Sequence, residues 1–429
     1  MSTLKSIVVW VLTCEARLLL ARLRPKVIAV TGSVGKTTTK DAVYSALSGT
    51  LRVRKSVKSF NSDIGVPLTI LGLANPAKNP FVWLMALTAG LFRAVATRTY
   101  PEWLVLEIGA DRPGDIRRIA RWLRPDIVVL TGVPDMPAHI EYFHSWEELL
   151  SEKRSLVEHL RAAGKLILNG DDERMRILRS EFRGAAITYG LGIENDFAAS
   201  HETILYEEGV PRGMQFRVNY AGSSVPLVVR GALGVPRMYA AAAALAAATA
   251  CGVDLVTAGQ GLAKWQPPQG RMRILAAIKG AIIIDDTYNS SPSAALSALD
   301  TLCAVEARRR IAVLGDMLEL GRMSAEGHRV VGERAAACAD ILITVGFRAR
   351  AIAVAALDAG MSESQILQYE MGESARAGKE LEAVLQEGDV VLIKGSQAMR
   401  MERTVLEIMN EPERAEELLV RMDKEWRNR

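Results

Sequence analysis

Cysteine is scarce in this chain: four in 429 residues, at Cys14, Cys251, Cys303 and Cys338, far apart and in no Cys-x-x-Cys pair. That argues against a disulfide scaffold or a thiolate metal module. Each thiol reads as a small buried hydrophobe in a reducing, cytoplasmic compartment. Charge of one sign is not in excess either. A net charge of +4, with the basic residues dispersed, gives no footprint for nucleic acid. Long hydrophobic runs are missing near the start: Ile7 to Leu12 is apolar, but Glu15, Arg17 and Arg22 interrupt it. A transmembrane helix needs roughly 20 apolar residues, and no small-residue cleavage site follows that would mark a signal peptide. A packed or amphipathic helix is the first reading of this segment, and attachment to a membrane surface is the second. Phe81 to Val95 is strongly apolar, with Arg93 near its end, and reads as a core helix, with a face for lipid or a partner protein as its second reading. Repeats and low-complexity linkers are absent as well.

What is present is α/β patterning. Val27-Ile-Ala-Val30 is a buried-strand run, broken by Gly32 and Gly35 and followed by Lys36, Thr37 and a helical stretch. A strand, a glycine loop and a helix N-terminus form a phosphate cradle. Backbone N–H groups face the anion, the lysine reaches the outer phosphates and the hydroxyl after it holds Mg²⁺. The match is to Gly-x-x-Gly-Lys-Thr, because Val30 stands where the longer motif has its first glycine. Residues Thr31, Gly32, Ser33, Val34, Gly35, Lys36, Thr37 and Thr38 are therefore the expected nucleotide-binding loop.

Further strands (WLVLEI, IVVLT, LILN) alternate with helices, which predicts a parallel doubly wound sheet with ligands at the carboxyl ends of its strands. Lys36, Glu107, His139 and Asn169 all fall at or just after strand ends. Glu107 is the natural oxygen ligand for a phosphate-loop magnesium. His139, read alone, is structural or a second ligand, and Lys153, read alone, is a solvated helix lysine. Ala185 to Val229 turns to short alternating stretches that suggest a small antiparallel extension. Trp265 to Arg271 reads as a linker before a second strand–helix series, which predicts a segment 1–25, a central domain 26–267 and a C-terminal Rossmann-like α/β domain 268–429. The tail from Glu411 reads as a charged, solvated helix.

TGSVGKTTTK, FNSDIGVPLTIL, VLEIGADRPGDI, AHIEYFHSWEELLSEK, LILNGDDE, IIDDTYNSSPSA, VLGDMLELG and VLIKGSQAMRME follow one another here. In order and spacing they resemble the Mur ligases, and DDTYNSSP followed by LGDMLELG resembles the MurF branch, which adds D-alanyl-D-alanine to UDP-N-acetylmuramoyl-tripeptide. The resemblance implies ATP- and Mg²⁺-dependent amide formation through an acyl phosphate in cell-wall peptide synthesis. By position, Lys36, Glu107, His139 and Lys153 take catalytic roles. Thr37, Glu107, His139 and Lys153, the last as a carbamate, are implied ligands of two magnesium sites. Arg271, Asp286, Tyr288 and Asn289 join the ATP site, while Asn61, Lys394 and Ser396 are implied on the substrate side. Two departures stand out. Only about 25 residues precede the phosphate loop, where the branch carries a separate UDP-sugar-binding domain. Leu233 and Arg237 replace a His and an Asn that touches adenine, so Arg237 either stacks on the base or leaves that contact to others. Hence the acceptor is expected to be a small-molecule or lipid-linked peptide precursor, with contact at the inner face of the membrane through the N-terminal segment. The alternatives are a Mur-type ligase on a non-UDP or polymeric glutamyl acceptor, or an ATP-binding regulator without turnover.

Overall fold

The computed structural model describes residues 3–57, 60–76, 79–110, 112–134, 136, 140–143, 145–422 and 426. The chain opens with helix α1 (Thr3–Leu23) and continues through β1 (Lys26–Thr31), α2 (Lys36–Ser48), β2 (Val53–Lys55), α3 (Gly65–Leu71) and α4 (Pro80–Ala96). Next come β3 (Trp103–Glu107), α5 (Asp115–Leu123), β4 (Ile127–Leu130), α6 (Trp146–Glu158), β5 (Lys165–Asn169), α7 (Glu173–Glu181) and β6 (Ala185–Gly190). Strands β7 (Phe197–Glu207), β8 (Val210–Tyr220) and β9 (Ser223–Arg230) and helices α8 (Pro236–Ala250) and α9 (Leu255–Ala263) complete the first half.

Among the described residues these nine strands form one sheet in the order β2-β3-β1-β4-β5-β6-β7-β8-β9. It is parallel as far as β7 and antiparallel from β7 to β9. The expected antiparallel extension is there, but it begins one strand later: Ala185–Gly190 pairs parallel with β5 and β7. Because β1 lies between β3 and β4, the connections leaving it diverge. This opens a crevice at its carboxyl end, where α/β sheets hold ligands. Both faces are covered, one by α2, α8 and α9 (Val43, Leu47, Leu245, Leu262) and the other by α1, α3, α5 and α6 (Leu19, Leu71, Ile119, Leu156).

A second sheet follows, built from β10 (Arg273–Ala276), β11 (Ile282–Asp286), α10 (Pro292–Ala304), β12 (Arg309–Gly315), α11 (Ser324–Cys338) and β13 (Ile341–Val345). It is completed by α12 (Arg350–Asp358), β14 (Ile366–Tyr369), α13 (Ser374–Val384), β15 (Asp389–Lys394) and α14 (Glu402–Ile408). Its order is β10-β11-β15-β12-β13-β14, parallel apart from β10.

Two apolar or charged stretches sit where the sequence does not put them. The helix read as core, α4, buries only Ala86, Gly90 and Ala94. These small residues, four apart, form a shallow groove that admits α1, whose Leu12, Ala16 and Leu19 are buried. The rest of α4 faces outward. The tail, read as a solvated helix, is helical over Ala415–Leu418 and then buries Leu419 and Val420. There Arg421 donates to the Tyr288 carbonyl (2.9 Å) and pairs with Glu402 (2.7 Å).

The α1–α4 contact holds a buried carboxyl. Glu15 lies against Gly90, where an added Cβ would stand 2.2 Å from Glu15 Oε2. That oxygen has no hydrogen-bond partner among the described residues. Burial pushes the carboxyl up from 4.5 to about 7. Between those values the folded chain binds more protons than the unfolded one, so stability falls as pH rises through that window and stays low above it. Glu15→Gln is expected to raise the melting temperature by a few degrees above pH 7 and to flatten the slope below it. Melting curves of the two proteins that stay parallel across the window would remove Glu15 as the cause.

Candidate active site

The phosphate loop has the expected form. Gly35 adopts φ 82° at the entry to α2, a backbone conformation that favours glycine. Gly32 also has a positive φ, 148°, and a Cβ there would in addition run into Thr131 Oγ1. That hydroxyl in turn donates to the carbonyl of Val34 (2.6 Å), and Ser33 N donates to the carbonyl of Gly132 (2.9 Å). The loop is thus pinned to the end of β4 while the first-turn N–H groups of α2 point out of the helix without intrahelical partners. The buried hydroxyls Thr31 Oγ1 and Ser33 Oγ have no partner among the described residues. Thr38 is buried behind them.

Lys36 curls back over its own loop, donating to the carbonyls of Gly32 (2.9 Å) and Ser33 (3.2 Å). Lys153, from the middle of α6, reaches the same Gly32 carbonyl at 3.2 Å. It is not a solvated lysine: its side chain is buried. Burial, with a smaller contribution from Lys36 and against the pull of Glu152, brings it down from 10.5 to about 7. Glu152 itself is engaged at the N-terminus of α5, accepting from Gly114 N and Arg117 N, both at 3.0 Å. Two amines therefore converge on one carbonyl at the mouth of the loop.

Glu107 ends β3 beside β1, 1% exposed. Its Oε2 accepts from Thr37 Oγ1 (2.9 Å) and its Oε1 from Asn61 Nδ2 (3.1 Å). Asn61 approaches this closely because Gly109 has no side chain to meet it. Three of the expected residues, Thr37, Asn61 and Glu107, thus form one hydrogen-bonded cluster. Two more belong to it that the sequence reading passed over. Lys40 is fully buried, donates to the Ser56 carbonyl (2.9 Å) and stands 4.0 Å from Glu107 Oε2. Ser56 Oγ accepts from Glu107 N (3.1 Å). Lys40 lies in the second turn of a helix and Ser56 just past β2, and neither context signals a site. His139 lies outside the described residues.

Among the described residues, no three His, Cys, Asp or Glu side chains converge as a metal cage made by protein alone. The donor set present, one carboxylate and one hydroxyl beside a phosphate loop, suits magnesium held jointly with nucleotide phosphates.

The second sheet supplies a facing cluster. Lys394, at the end of β15, is buried and pairs with Asp286 Oδ2 (2.5 Å) and the Asn289 carbonyl (3.0 Å). Burial lowers its pKa, against the pull of Asp286. Asp286 Oδ1 accepts from Met272 N (3.1 Å), and the Arg271 guanidinium lies 4.1 Å over the Tyr288 ring. Ser396 Oγ accepts from Leu318 N (2.8 Å) and so shapes the loop 316–320 that follows β12. Contacts that join the halves include Arg237 Nη2, which donates to the Arg271 carbonyl, Glu141 N, which donates to the Glu319 carbonyl (3.4 Å), Ile274 N, which donates to the Gly231 carbonyl (2.9 Å), and Glu306 N, which donates to Tyr206 Oη (2.8 Å). Arg237 is buried, 5.4 Å over the Trp265 ring, so Trp265 already occupies one face of its guanidinium; Leu233 beside it is core.

A model of the Mur ligase middle domain matches residues 30–248, and a model of the Mur ligase glutamate ligase domain matches residues 270–397. The chain belongs to the Mur ligase family. It is similar to the UDP-N-acetylmuramoyl-tripeptide–D-alanyl-D-alanine ligase of Bacillus subtilis, 29% identical over 404 residues that cover 92% of this chain and 79% of the relative. The enzyme of the same name from Synechocystis is 29% identical over 387 residues, 90% of this chain and 75% of the relative. Among solved structures, the MurF ligase of Thermotoga maritima in complex with ADP superposes with a TM-score of 0.76 at 27% identity, covering 95% of this chain and 84% of that one. As a Mur ligase of MurF type, the chain is an ATP-dependent amide ligase.

Proposed function

We propose that this Mur ligase joins D-alanyl-D-alanine, or a similar amine, to the terminal carboxylate of a UDP-N-acetylmuramoyl-tripeptide in peptidoglycan synthesis. The printed names of the relatives supply the substrate pair. The observation that carries the chemistry is the convergence of Thr37, Asn61 and Glu107 beside a phosphate loop at which Lys36 and Lys153 share one carbonyl.

An acceptor carboxylate oxygen attacks the γ-phosphorus, the bond to the β,γ-bridging oxygen breaks and ADP leaves. The amine nitrogen then attacks the carbonyl carbon of the acyl phosphate, phosphate departs from the tetrahedral intermediate and one proton is released. Lys36 and the first-turn N–H groups of α2 hold the transferring phosphoryl group, where positioning and charge supply most of the acceleration. Asn61 and Lys40 fix the Glu107 carboxylate from two sides. Thr37 and Glu107 would hold magnesium at one site, and His139 with a carbamylated Lys153 at a second, where the metal would neutralise further charge. A carbamate on Lys153 would replace the repulsion between the two lysines at Gly32 with attraction. The DDTYN segment, with Arg271, Asp286, Tyr288 and Asn289, completes the ATP site, and Lys394 and Ser396 shape the amine side. The same reading divides the chain into a segment 1–25, a central ATP-binding domain 26–267 and a C-terminal domain 268–429. In its support, the segment between α9 and β10 carries no regular element.

A second reading keeps the chemistry and takes a lipid-linked or polymeric carboxylate as acceptor; the exposed apolar face of α1 and α4 favours it. Phosphate release from ATP across a panel of acceptors and amines separates the readings. Release that requires both UDP-muramoyl-tripeptide and D-alanyl-D-alanine is expected. Release only with another acceptor selects the second reading, and ATP binding without release under any pair favours a regulator.

A further inference from the structure

The largest feature that the ligase chemistry leaves unused is the outer face of α1 and α4. The two helices run side by side in the same direction. Glu15 meets Gly90 and, one to two turns further along both, Arg22 Nε donates to the Ala94 carbonyl (2.9 Å). Their outward stripes are apolar: Ile7, Trp10 and Leu18 on α1, and Phe81, Leu84, Met85, Leu91, Phe92 and Val95 on α4. Trp10 is 67% exposed, Phe81 79% and Phe92 71%. Scattered exposed hydrophobes are ordinary, but a continuous patch across two helices marks a contact surface. No helix among the described residues is long and apolar enough to cross a membrane, so the face suits lying on a surface rather than spanning one.

Charge says which surface. Neither α1 nor α4 carries an exposed acidic residue; Glu15 is the one acid in the two helices, and it is buried. Exposed cations border the stripe at Lys5, Arg17, Arg22 and Arg93. Where both helices end, a cleft of about 530 Å³ is lined by Arg24, Lys26, Arg52 and Arg98 together with Tyr100 and Trp103. Its one carboxylate, Glu102, is engaged by Arg52 at 3.1 Å. A second copy of this face would set these cations against each other, whereas an anionic bilayer answers both the apolar stripe and the basic cleft.

We propose that α1 and α4 dock this protein on an anionic lipid bilayer, with the aromatic and aliphatic stripe in the headgroup–acyl boundary and lipid phosphates in the Arg24–Arg98 cleft. Helix α1 packs in one core with α3, the helix that follows Asn61 in the chain, so docking sets that side of the molecule toward the bilayer. The bearing of this on a lipid-linked acceptor rests on the ligase reading; the docking does not.

The test is flotation of the full chain with vesicles of phosphatidylcholine mixed with phosphatidylglycerol, and with phosphatidylcholine alone. Flotation with the mixed vesicles only, weakened by salt, is expected. The double variant Arg24→Gln, Arg98→Gln should lose affinity roughly 25-fold, at about a fivefold change per cation near an anionic surface. The triple variant Phe81→Ser, Met85→Ser, Phe92→Ser should not float. Both variants change exposed side chains outside the catalytic cluster, so their melting temperature and their ATP-dependent phosphate release without lipid should match the parent. Failure of the parent to float at low salt overturns the proposal, as does flotation that both variants retain. A concentration-dependent dimer that the triple variant abolishes, in a protein that does not float, would assign the face to a second copy instead.

Discussion

Lys36→Ala is expected to lower ATP-dependent phosphate release by roughly 10²–10³-fold, the usual consequence of removing one well-placed donor from developing oxyanion charge. In the structure the ammonium is held by the carbonyls of Gly32 and Ser33. It is thus parked within the loop it serves, close to where the outer phosphates must lie. Swinging from two neutral carbonyls to phosphoryl oxygens exchanges ordinary hydrogen bonds for charge-assisted ones, roughly twice as strong. The gain is greatest when charge spreads over the transferring group, so kcat should fall much more than nucleotide affinity. The fold should survive, because Thr131 Oγ1 and Ser33 N hold the loop to the end of β4 without the lysine. Phosphate-release kinetics and ADP calorimetry on the same variant separate the two effects. Release at the parental rate would remove Lys36 from the chemistry. A matched loss of ADP affinity and rate would make it a ground-state ligand only.

The loop was readable because its signal is local. An apolar strand, two glycines and a helix start lie within thirteen residues, Val27 to Thr39, and each has a conformational meaning of its own. Glu107 was readable because it closes a buried strand run, where a carboxylate needs a reason. Lys153 was not, on its own residues. It sits between Glu152 and Arg154 in a charged helix, and only the packing of α6 under the phosphate loop shows that it is buried. Helix α4 was misjudged because it is apolar nearly all round. Such a helix is buried by default, and composition does not say whether protein or something else covers it. The tail was misjudged for the opposite reason: its charges hide the run Leu418-Leu419-Val420, and Arg421 spends its charge on buried carbonyls and Glu402. Strand direction leaves no local trace either, which is why the sequence groups Ala185–Gly190 with the antiparallel extension although it pairs parallel with both its neighbours.

Lys153 is where a second large effect is expected. Lys153→Ala should lower phosphate release roughly 10²–10³-fold, the rate equivalent of the several kcal/mol that a metal charge contributes at phosphoryl oxygens. Small carboxylic acids in the assay should restore part of it. Lys153→Arg should be equally impaired and not rescued, since a guanidinium keeps the charge and the volume. The reasoning starts from burial, which brings the amine down to about 7 from 10.5. Above about pH 7 the neutral amine therefore predominates in the folded chain. A neutral amine attacks carbon dioxide: the N–C bond forms, one proton leaves and a carbamate anion remains. In the unmodified chain the unfolded state binds more protons between about 7 and 10.5, so stability rises with pH across that window, and the cost of burying the charged Lys153 is felt in full below it. Activity in carbon dioxide-depleted buffer should accordingly drop and return on adding bicarbonate, with the recovery steeper above pH 7. A ¹³C label from bicarbonate should appear on the parent protein and not on Lys153→Ala. Indifference to bicarbonate, together with no rescue by any carboxylic acid, would leave Lys153 as an amine that positions the Gly32 carbonyl, and the second magnesium site without its anion.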